Sequence, residues 1–360
     1  MSIYLASNKV VVVASEDDPP NPGEVYDAVE ALLLDETADV TYIDTVDPSI
    51  EKDTDAVGHD VVRGSSDGTV STVIKNAAEV TMEFRLRAIP DAGTPPGYGP
   101  ILKGANLAEE VVADDVVYTR ATKNPPAFTI YIYERAAHTD NWRLEVATGV
   151  RGNLSFTAEE NSEVTMSFEG RGNFHEISDG AEFIDVESGE IALLKDGETA
   201  VAARTSGEFV QEDQCPMPAR DITLQFDEVD YGVRQFEFDL QHDSDDVPTI
   251  SGGATRSSGT VTRAGEARTE GSIEMTDYTE AIIDDVRDKA YSDCDQFEFF
   301  AAFENGEGRV ELSGPRAQFL PWEKTTNGNN RQFDIPFVLN GTHDLVNDDE
   351  LTITFMPPEA

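Results

Sequence analysis

Lysine is nearly missing from this chain, with eight in 360 residues, and cysteine occurs only at Cys215 and Cys294. Two cysteines exclude a disulfide framework, and each reads as a small buried hydrophobe. Long apolar runs are also absent. The strongest near the start, Val10 to Ala14, is far too short to span a bilayer. No basic region followed by an apolar stretch opens the chain, so neither a secretory leader nor a membrane anchor is expected. The expectation is a protein made in the cytoplasm that stays soluble or is built there into something larger.

Catalytic signatures are missing as well. There is no G-x-x-x-x-G-K, no H-E-x-x-H and no G-x-S-x-G. The five histidines, His59, His138, His175, His242 and His343, are scattered and none stands four residues from another. A metal site of two histidines would have to be assembled by the fold alone. The acidic clusters Glu16-Asp17-Asp18 and Asp243-Ser244-Asp245-Asp246 lack the loop spacing of a calcium site. With 71 acids some carboxylate pair always exists, so paired carboxylates decide nothing. Asn153-Leu-Ser155 and Asn340-Gly-Thr342 match a glycosylation sequon but fall in or beside predicted strands. These readings lead us to expect no enzyme and no catalytic, cofactor-binding or metal-binding residues.

What the chain has is acid. Against 26 lysines and arginines stand 71 aspartates and glutamates, a formal charge of −45. The acids run along the whole length and do not gather in a tail. Such a surface repels nucleic acid and opposes its own folding in dilute buffer. In multimolar salt the Debye length falls to about 3 Å or less and the repulsion is screened. An acid-coated, lysine-poor chain therefore reads as halophilic, the alternative being an ordinary acidic protein. Hydrophobic residues at 39% and a length of 360 allow two domains, each with a core.

It also has a repeated order of elements. Around Val80 the strand VTMEFRLRA leads to a short helix from Pro100 with Ile101, Leu102 and Ala105 on one face. Strands AFTIYIYER, VRGNLSFTA and EVTMSFEGRG follow. From Gly271 the order returns as GSIEMT, a helix carrying Ile282, Ile283, Val286 and Ala290, then QFEFFAAFE, PRAQFLPWE and RQFDIPFVLNG. Strict alternation marks strands with one wet face. Val80, Met82, Phe84 and Leu86 alternate with Thr81, Glu83, Arg85 and Arg87. Val164, Met166 and Phe168 alternate with Glu163, Thr165, Ser167 and Glu169. Phe333, Ile335 and Phe337 alternate with Gln332 and Asp334.

The remaining segments are less regular. Lys9 to Ser15 reads as a strand and Asp39 to Thr45 as another. Between them Asn21, Pro22 and Glu24 cap a helix over residues 22–34 whose role the pattern does not give. Val46 to Asp67 reads as an extended polar loop or arm. Glu176 to Ala219, ending CPMPA, reads as a linker carrying a small hairpin. The predicted division is residues 1–175 as a first domain, 176–219 as linker and 220–360 as a second domain. Trp142 and Trp322 stand alone in sequence and read as plugs of a core or an interface.

The run from GYGPILKGANLAEEV through VVYTRAT and FTIYIYER to GVRGNLSFTAEENSEVTMSFEGRG resembles the major tail tube proteins of long-tailed, siphovirus-like phages and archaeal viruses. So do RDITLQFDEVDYGVRQFEFDLQHDSD, VELSGPRAQF and FDIPFVLNG with DDELTITF. The likeness covers roughly Asp39 to Phe355 and is poorest over Glu176 to Ala219. Its motifs are loose β patterns.

The resemblance implies a mainly β fold with short helices (α+β), built as two repeated tail-tube-type antiparallel β-sandwich or barrel domains with one packed helix each. It implies a structural virion protein, assembled in the host cytoplasm. Its partners would be further copies of itself, a tape measure protein, tail terminator and distal tail proteins, and viral DNA that passes without specific binding. Two tube domains in one chain imply a trimeric ring of pseudo-six-fold symmetry, with a hexamer as the alternative. The resemblance implies no cofactors. Glu163, Thr165, Ser167, Glu169, Gln332 and Asp334 become candidates to face the lumen. Asp47, Glu51, Asp53, Asp55 and His59 become candidates for contacts between subunits or rings. Rival readings are another tail or head-decoration component, or a surface-binding β module of a halophile.

Overall fold

The fold was taken from a computed structural model. It describes residues 9–16, 40–53, 56–59, 70–73, 77–89, 91–121, 126–135, 142–177, 190–195, 199–205, 215–220, 222–241, 244–248, 257–262, 269–275, 280–291, 296–327, 330–341 and 350–358. The architecture is mainly antiparallel β, with two helices among the described residues. The expected helix over 22–34 lies outside those residues.

Three strands open the described chain: β1 (Lys9–Glu16), β2 (Val40–Ile43) and β3 (Thr45–Asp53). A hairpin of β4 (Ala56–His59) and β5 (Val70–Val73) precedes β6 (Ala77–Arg85). Helix α1 (Gly99–Gly104) and the hairpin β7 (Leu107–Val112) with β8 (Asp115–Arg120) follow. Then come β9 (Ala127–Arg135), β10 (Trp142–Glu159) and β11 (Thr165–Ile177). The antiparallel order in space is β2-β1-β9-β10-β11-β6-β3.

After the hairpin β12 (Glu190–Lys195) with β13 (Thr199–Thr205), the series begins again. It runs β14 (Thr223–Phe226), β15 (Val229–Asp230), β16 (Val233–Asp239), the hairpin β17 (Ser244–Pro248) with β18 (Ser257–Thr262), and β19 (Glu270–Met275). Helix α2 (Glu280–Tyr291) leads to β20 (Phe297–Asn305), β21 (Gly308–Phe319), β22 (Glu323–Asn327) and β23 (Asn330–Leu339). Taking β21 and β22 as one strand bent at Leu320 to Trp322, the order in space is β15-β14-β20-β21/β22-β23-β19-β16. Seven strands thus occupy the same places in both halves, each with a hairpin before the fourth strand and a helix after it. Strand β24 (Thr352–Met356) closes the described chain, pairing with β21 on one side and β8 on the other.

The halves are joined by hydrogen bonds. Beyond the reach of β9, the edge of β10 from Ser155 to Glu159 pairs with β16. The 18 strands of this sheet surround one core as a barrel does. Among the described residues they are linked by 17 pairings, one fewer than a closed circuit needs, so the hydrogen-bonded path seen there branches and does not return on itself.

Alternation explains which face of each strand goes inside. Val80, Met82 and Phe84 of β6, Met166 and Phe168 of β11, and Phe333, Ile335 and Phe337 of β23 are all buried, as expected. Their rings and aliphatic groups form one continuous cluster that crosses the joint, where Phe156 meets Phe238 edge to face at 6.0 Å. The second half is filled by phenylalanine. Phe226 touches Phe297, Phe299, Phe319 and Phe337 at centroid distances of 4.7–5.6 Å. Helix α1 starts with Pro100 in its first turn and buries Ile101 and Leu102, as the sequence indicated. In α2, Val286 is buried and Ala290 packs against the core.

Two expectations are corrected. The segment from Val46 was read as a loop, but Thr45–Asp53 is a strand paired with β6. Asp47, Glu51 and Lys52 are exposed and gave the segment its polar composition, while Pro48 and Ile50 face inward. A bulge at Asp47, whose φ is +46°, breaks the alternation that would have revealed a strand. The linker end CPMPA is likewise built into the sheet. Met217 is fully buried, its amide donating to the Leu86 carbonyl and its carbonyl accepting from Val164. Of the two apolar pieces expected to form a small hairpin in the linker, EIALLK is β12 and pairs with β13, while residues 181–186 lie outside the described residues.

Candidate functional site

The polar rows singled out in the sequence lie on the wet face of the sheet. On β11, Ser167 and Glu169 are exposed and Thr165 is half-buried, because Met166 and Phe168 between them fill the core. Cross-strand register sets their neighbours. Ser167 stands between Glu83 of β6 and Ser155 of β10, and Glu169 between Thr81 and Asn153. With Asp47 of β3 and Asp239 of β16, these side chains line an open trough of about 380 Å³ running across five strands and over the joint.

Glu163 sits outside the regular strand, in an isolated bridge to Pro218. Its carboxylate meets Arg85 Nε at 3.1 Å. Arg85 Nη1 also meets Glu83 Oε1 at 2.9 Å and donates to Thr165 Oγ1 at 2.7 Å. One guanidinium thus ties three strand positions together, and both carboxylates are substantially exposed, so the tie is screened and weak. Further along the same face Arg171 pairs with Glu79 at 3.0 Å, and in the second unit Arg234 of β16 reaches Glu274 of β19 at 3.5 Å and, across the joint, Glu160 at 3.7 Å. Asn153 Nδ2 donates to Asp239 Oδ1 at 2.7 Å, locking the two halves through their wet faces. Ser49 and Thr81 share a 2.8 Å hydrogen bond between β3 and β6. On β23 Asp334 is exposed; Gln332 lies on the same strand, and its side chain is outside the described residues.

The contact candidates fall at one end of the sheet. Asp47, Glu51 and Asp53 lie on β3, the last strand of the first series, and His59 ends β4. Asp55 is outside the described residues. What the sequence did not disclose is the joint itself. The roles of Asn153, Phe156, Phe238 and Asp239 depend on β16 passing to the edge of β10, 76 residues or more away in sequence. Nothing in the local pattern of β16 distinguishes it from any other two-faced strand.

Two buried tyrosines carry the clear electrostatic perturbations. Tyr118 is buried at the start of α1's neighbourhood and donates to Glu109, whose other oxygen meets Lys103 at 3.2 Å. Burial first and then the Glu109 charge push its hydroxyl well above the ordinary tyrosine range. Tyr231 donates to Asp285 Oδ2 at 2.6 Å, and burial followed by that bond raises it too. Both hydroxyls tie structural elements together and neither opens onto the trough. Among the described residues no three histidine, cysteine or acidic side chains converge as a metal site would require. The arrangement offers a wide acidic and hydroxyl-rich surface that can contact a solvated polymer.

No family model matches the chain. No curated protein matches it either.

Proposed function

We propose that the chain is a structural subunit that polymerises through its own sheet into a tube, the tail tube of a virion, whose acidic lumen lets DNA pass. The observation that carries this reading is the joint. Two units of the same strand order are joined head to tail through β10 and β16, with their wet faces continuous across it. A head-to-tail contact that recurs builds rings or filaments, since the surfaces joined are unlike and one of each remains over. Repetition around an axis turns the shared wet face into a channel wall. With two units per chain, three chains make a six-unit ring.

Ser167, Glu169 and Asp334 then face the lumen. Carboxylates there repel phosphates and keep the passage from holding DNA, the reverse of a basic groove that binds by releasing counterions. The acid-rich, lysine-poor composition supports reading the subunit as one that works in high salt. Partners follow from the role: further copies, a tape measure protein inside the tube, and terminator and distal tail proteins at its ends. Such a subunit is not an enzyme and takes no cofactor. The test is negative-stain electron microscopy of the purified chain in multimolar KCl. Tubes with a stain-filled central channel and six-unit cross-sections support the reading; a monomer at all salt and protein concentrations refutes it.

A further inference from the structure

The joint inside the chain has a direction, and both of its halves occur a second time with no strand added to them among the described residues. Strand β16 adds to the outer edge of β10, and the hairpin β17–β18 that leaves β16 lies over β10 and β11 of the first unit. The first unit carries the same inserting pieces in the same order, β3 for β16 and β4–β5 for β17–β18. The second unit carries the same receiving pieces, β22 for the far half of β10 and β23 for β11. Among the described residues β3 pairs with β6 alone and β22 with β23 alone. Among the described residues the β4–β5 hairpin makes no approach to any other element comparable to that of β17–β18.

The residues of β3 are those of an edge strand. Val46 is 41 % exposed on it, one of few large apolar side chains exposed among the described residues. Pro48 sits in the same strand, a residue confined to edges and bulges because it cannot donate to a ladder. An unpaired edge is a template for another strand, and here the sequence has already built the complementary edge at the far end of the same chain.

We infer that the joint is repeated between chains: β3 of one copy adds to the outer edge of β22 of a second copy, and its β4–β5 hairpin lies over β22 and β23 of that copy. The occupant is a second copy because the inserting and receiving pieces lie at the two ends of the pairing path β3-β6-β11-β10-β16-β19-β23-β22 and do not meet within it. This rests on the self-assembly part of the proposed function and not on the passage of DNA.

The test uses the full chain in high salt with Cys215→Ser and Cys294→Ser as background. Glu51→Cys on β3 and Thr325→Cys on β22 are introduced together and treated with a bis-maleimide reaching about 10 Å, which tolerates a shift of about three residues at the rise of a strand. The control is Thr157→Cys with Glu237→Cys, opposite each other across the internal joint, which links within one chain. The expected result is a ladder of linked chains on a denaturing gel for the first pair, absent from each single variant. Replacing Ala56–Val73 by a short Gly-Ser turn should leave the circular dichroism of the folded chain in place. It should lower the ladder about tenfold or more, as losing one of two linked contacts does. Full linking in the control with no ladder from Glu51→Cys and Thr325→Cys overturns the inference, as does an undiminished ladder from the hairpin deletion. Tubes that form without the ladder leave the tube reading standing and remove this docking. A ladder without tubes keeps the docking and removes the tube.

Discussion

Phe238→Ala is the sharpest probe of whether the two units are one cooperative body. The ring is 1 % exposed and stands on β16 where the second unit joins the first. It meets Phe156 of the first unit at 6.0 Å, and Phe236 and Phe299 of the second at 6.2 Å each. Truncating a buried phenylalanine costs about 3–5 kcal/mol, made up of lost transfer free energy and the cavity left behind. The upper half of that range applies here, because the site is walled by paired strands on both sides and collapses poorly. Against a total stability of about 5–15 kcal/mol the loss is large. Urea unfolding in multimolar KCl measures it, with far-ultraviolet circular dichroism reporting the whole sheet and tryptophan fluorescence reporting Trp142 and Trp322. In the parent chain the two probes should coincide, because one core spans both units. In Phe238→Ala the midpoint should fall and the probes should separate as the units uncouple. Glu237→Ala, exposed on the same strand, should shift stability by no more than about 0.5 kcal/mol. A loss below about 1 kcal/mol for Phe238→Ala would show that the joint is not packed as described.

Three other perturbations have clear signs. Tyr118 and Tyr231 hold their protons in the folded chain while unfolded tyrosine releases its proton near pH 10, so above about pH 10 the unfolded state binds fewer protons and stability falls as pH rises. Tyr118→Phe with Tyr231→Phe should flatten that alkaline decline in a thermal-melt series while costing about 1 kcal/mol per lost hydrogen bond at neutral pH; an unchanged alkaline slope refutes the assignment. Gly271 lies where an added Cβ would come within 2.3 Å of Phe337 Cζ and 2.8 Å of the Glu237 carbonyl oxygen, so Gly271→Val should lower stability in urea unfolding by about 1–3 kcal/mol or more, and a neutral result would mean β19 can move away from its neighbours. Glu169→Arg with Asp334→Arg, both exposed on the wet face, should leave ring assembly intact but slow DNA release from reconstituted particles, more so at lower salt; release at the parental rate would count against a lumen position.

Legibility in the sequence followed the range of the physics. Strands β6, β11 and β23 could be read because their alternation depends only on residues two apart, and their apolar rows are buried as expected. The repeat could be sensed from element order alone, but its extent could not. The first strands β1 and β2 had no visible counterpart until β14 and β15 took the same places beside β20. Strand β3 was hidden by its bulge and by acids on its outer side. The joint was not readable at all, because it is a pairing between edges chosen by the global path of the chain. The polar rows were found by pattern, and register then added what pattern lacks: Glu163 held by Arg85, and Asn153 tied to Asp239 across the units.

If copies join as proposed, charge should decide when they do so. Each copy carries −45, and the strands proposed to meet bring Asp47 and Glu51 of β3 toward Glu323 on β22. Backbone hydrogen bonds between edges are short-ranged and nearly indifferent to ions, whereas the repulsion acts over the Debye length. That length is about 10 Å at 0.1 M salt, enough for whole faces of two copies to repel, and about 3 Å at 1 M, where only touching charges do. Attraction and repulsion therefore respond to salt very differently, and assembly should switch on over a narrow range of concentration while the folded subunit persists on both sides of it. Sedimentation velocity across a KCl titration, paired with circular dichroism, separates the two events. Tubes that form equally well at about 0.1 M KCl would show that the acidic surface does not govern association, and that favourable charge contacts between the paired edges outweigh the repulsion.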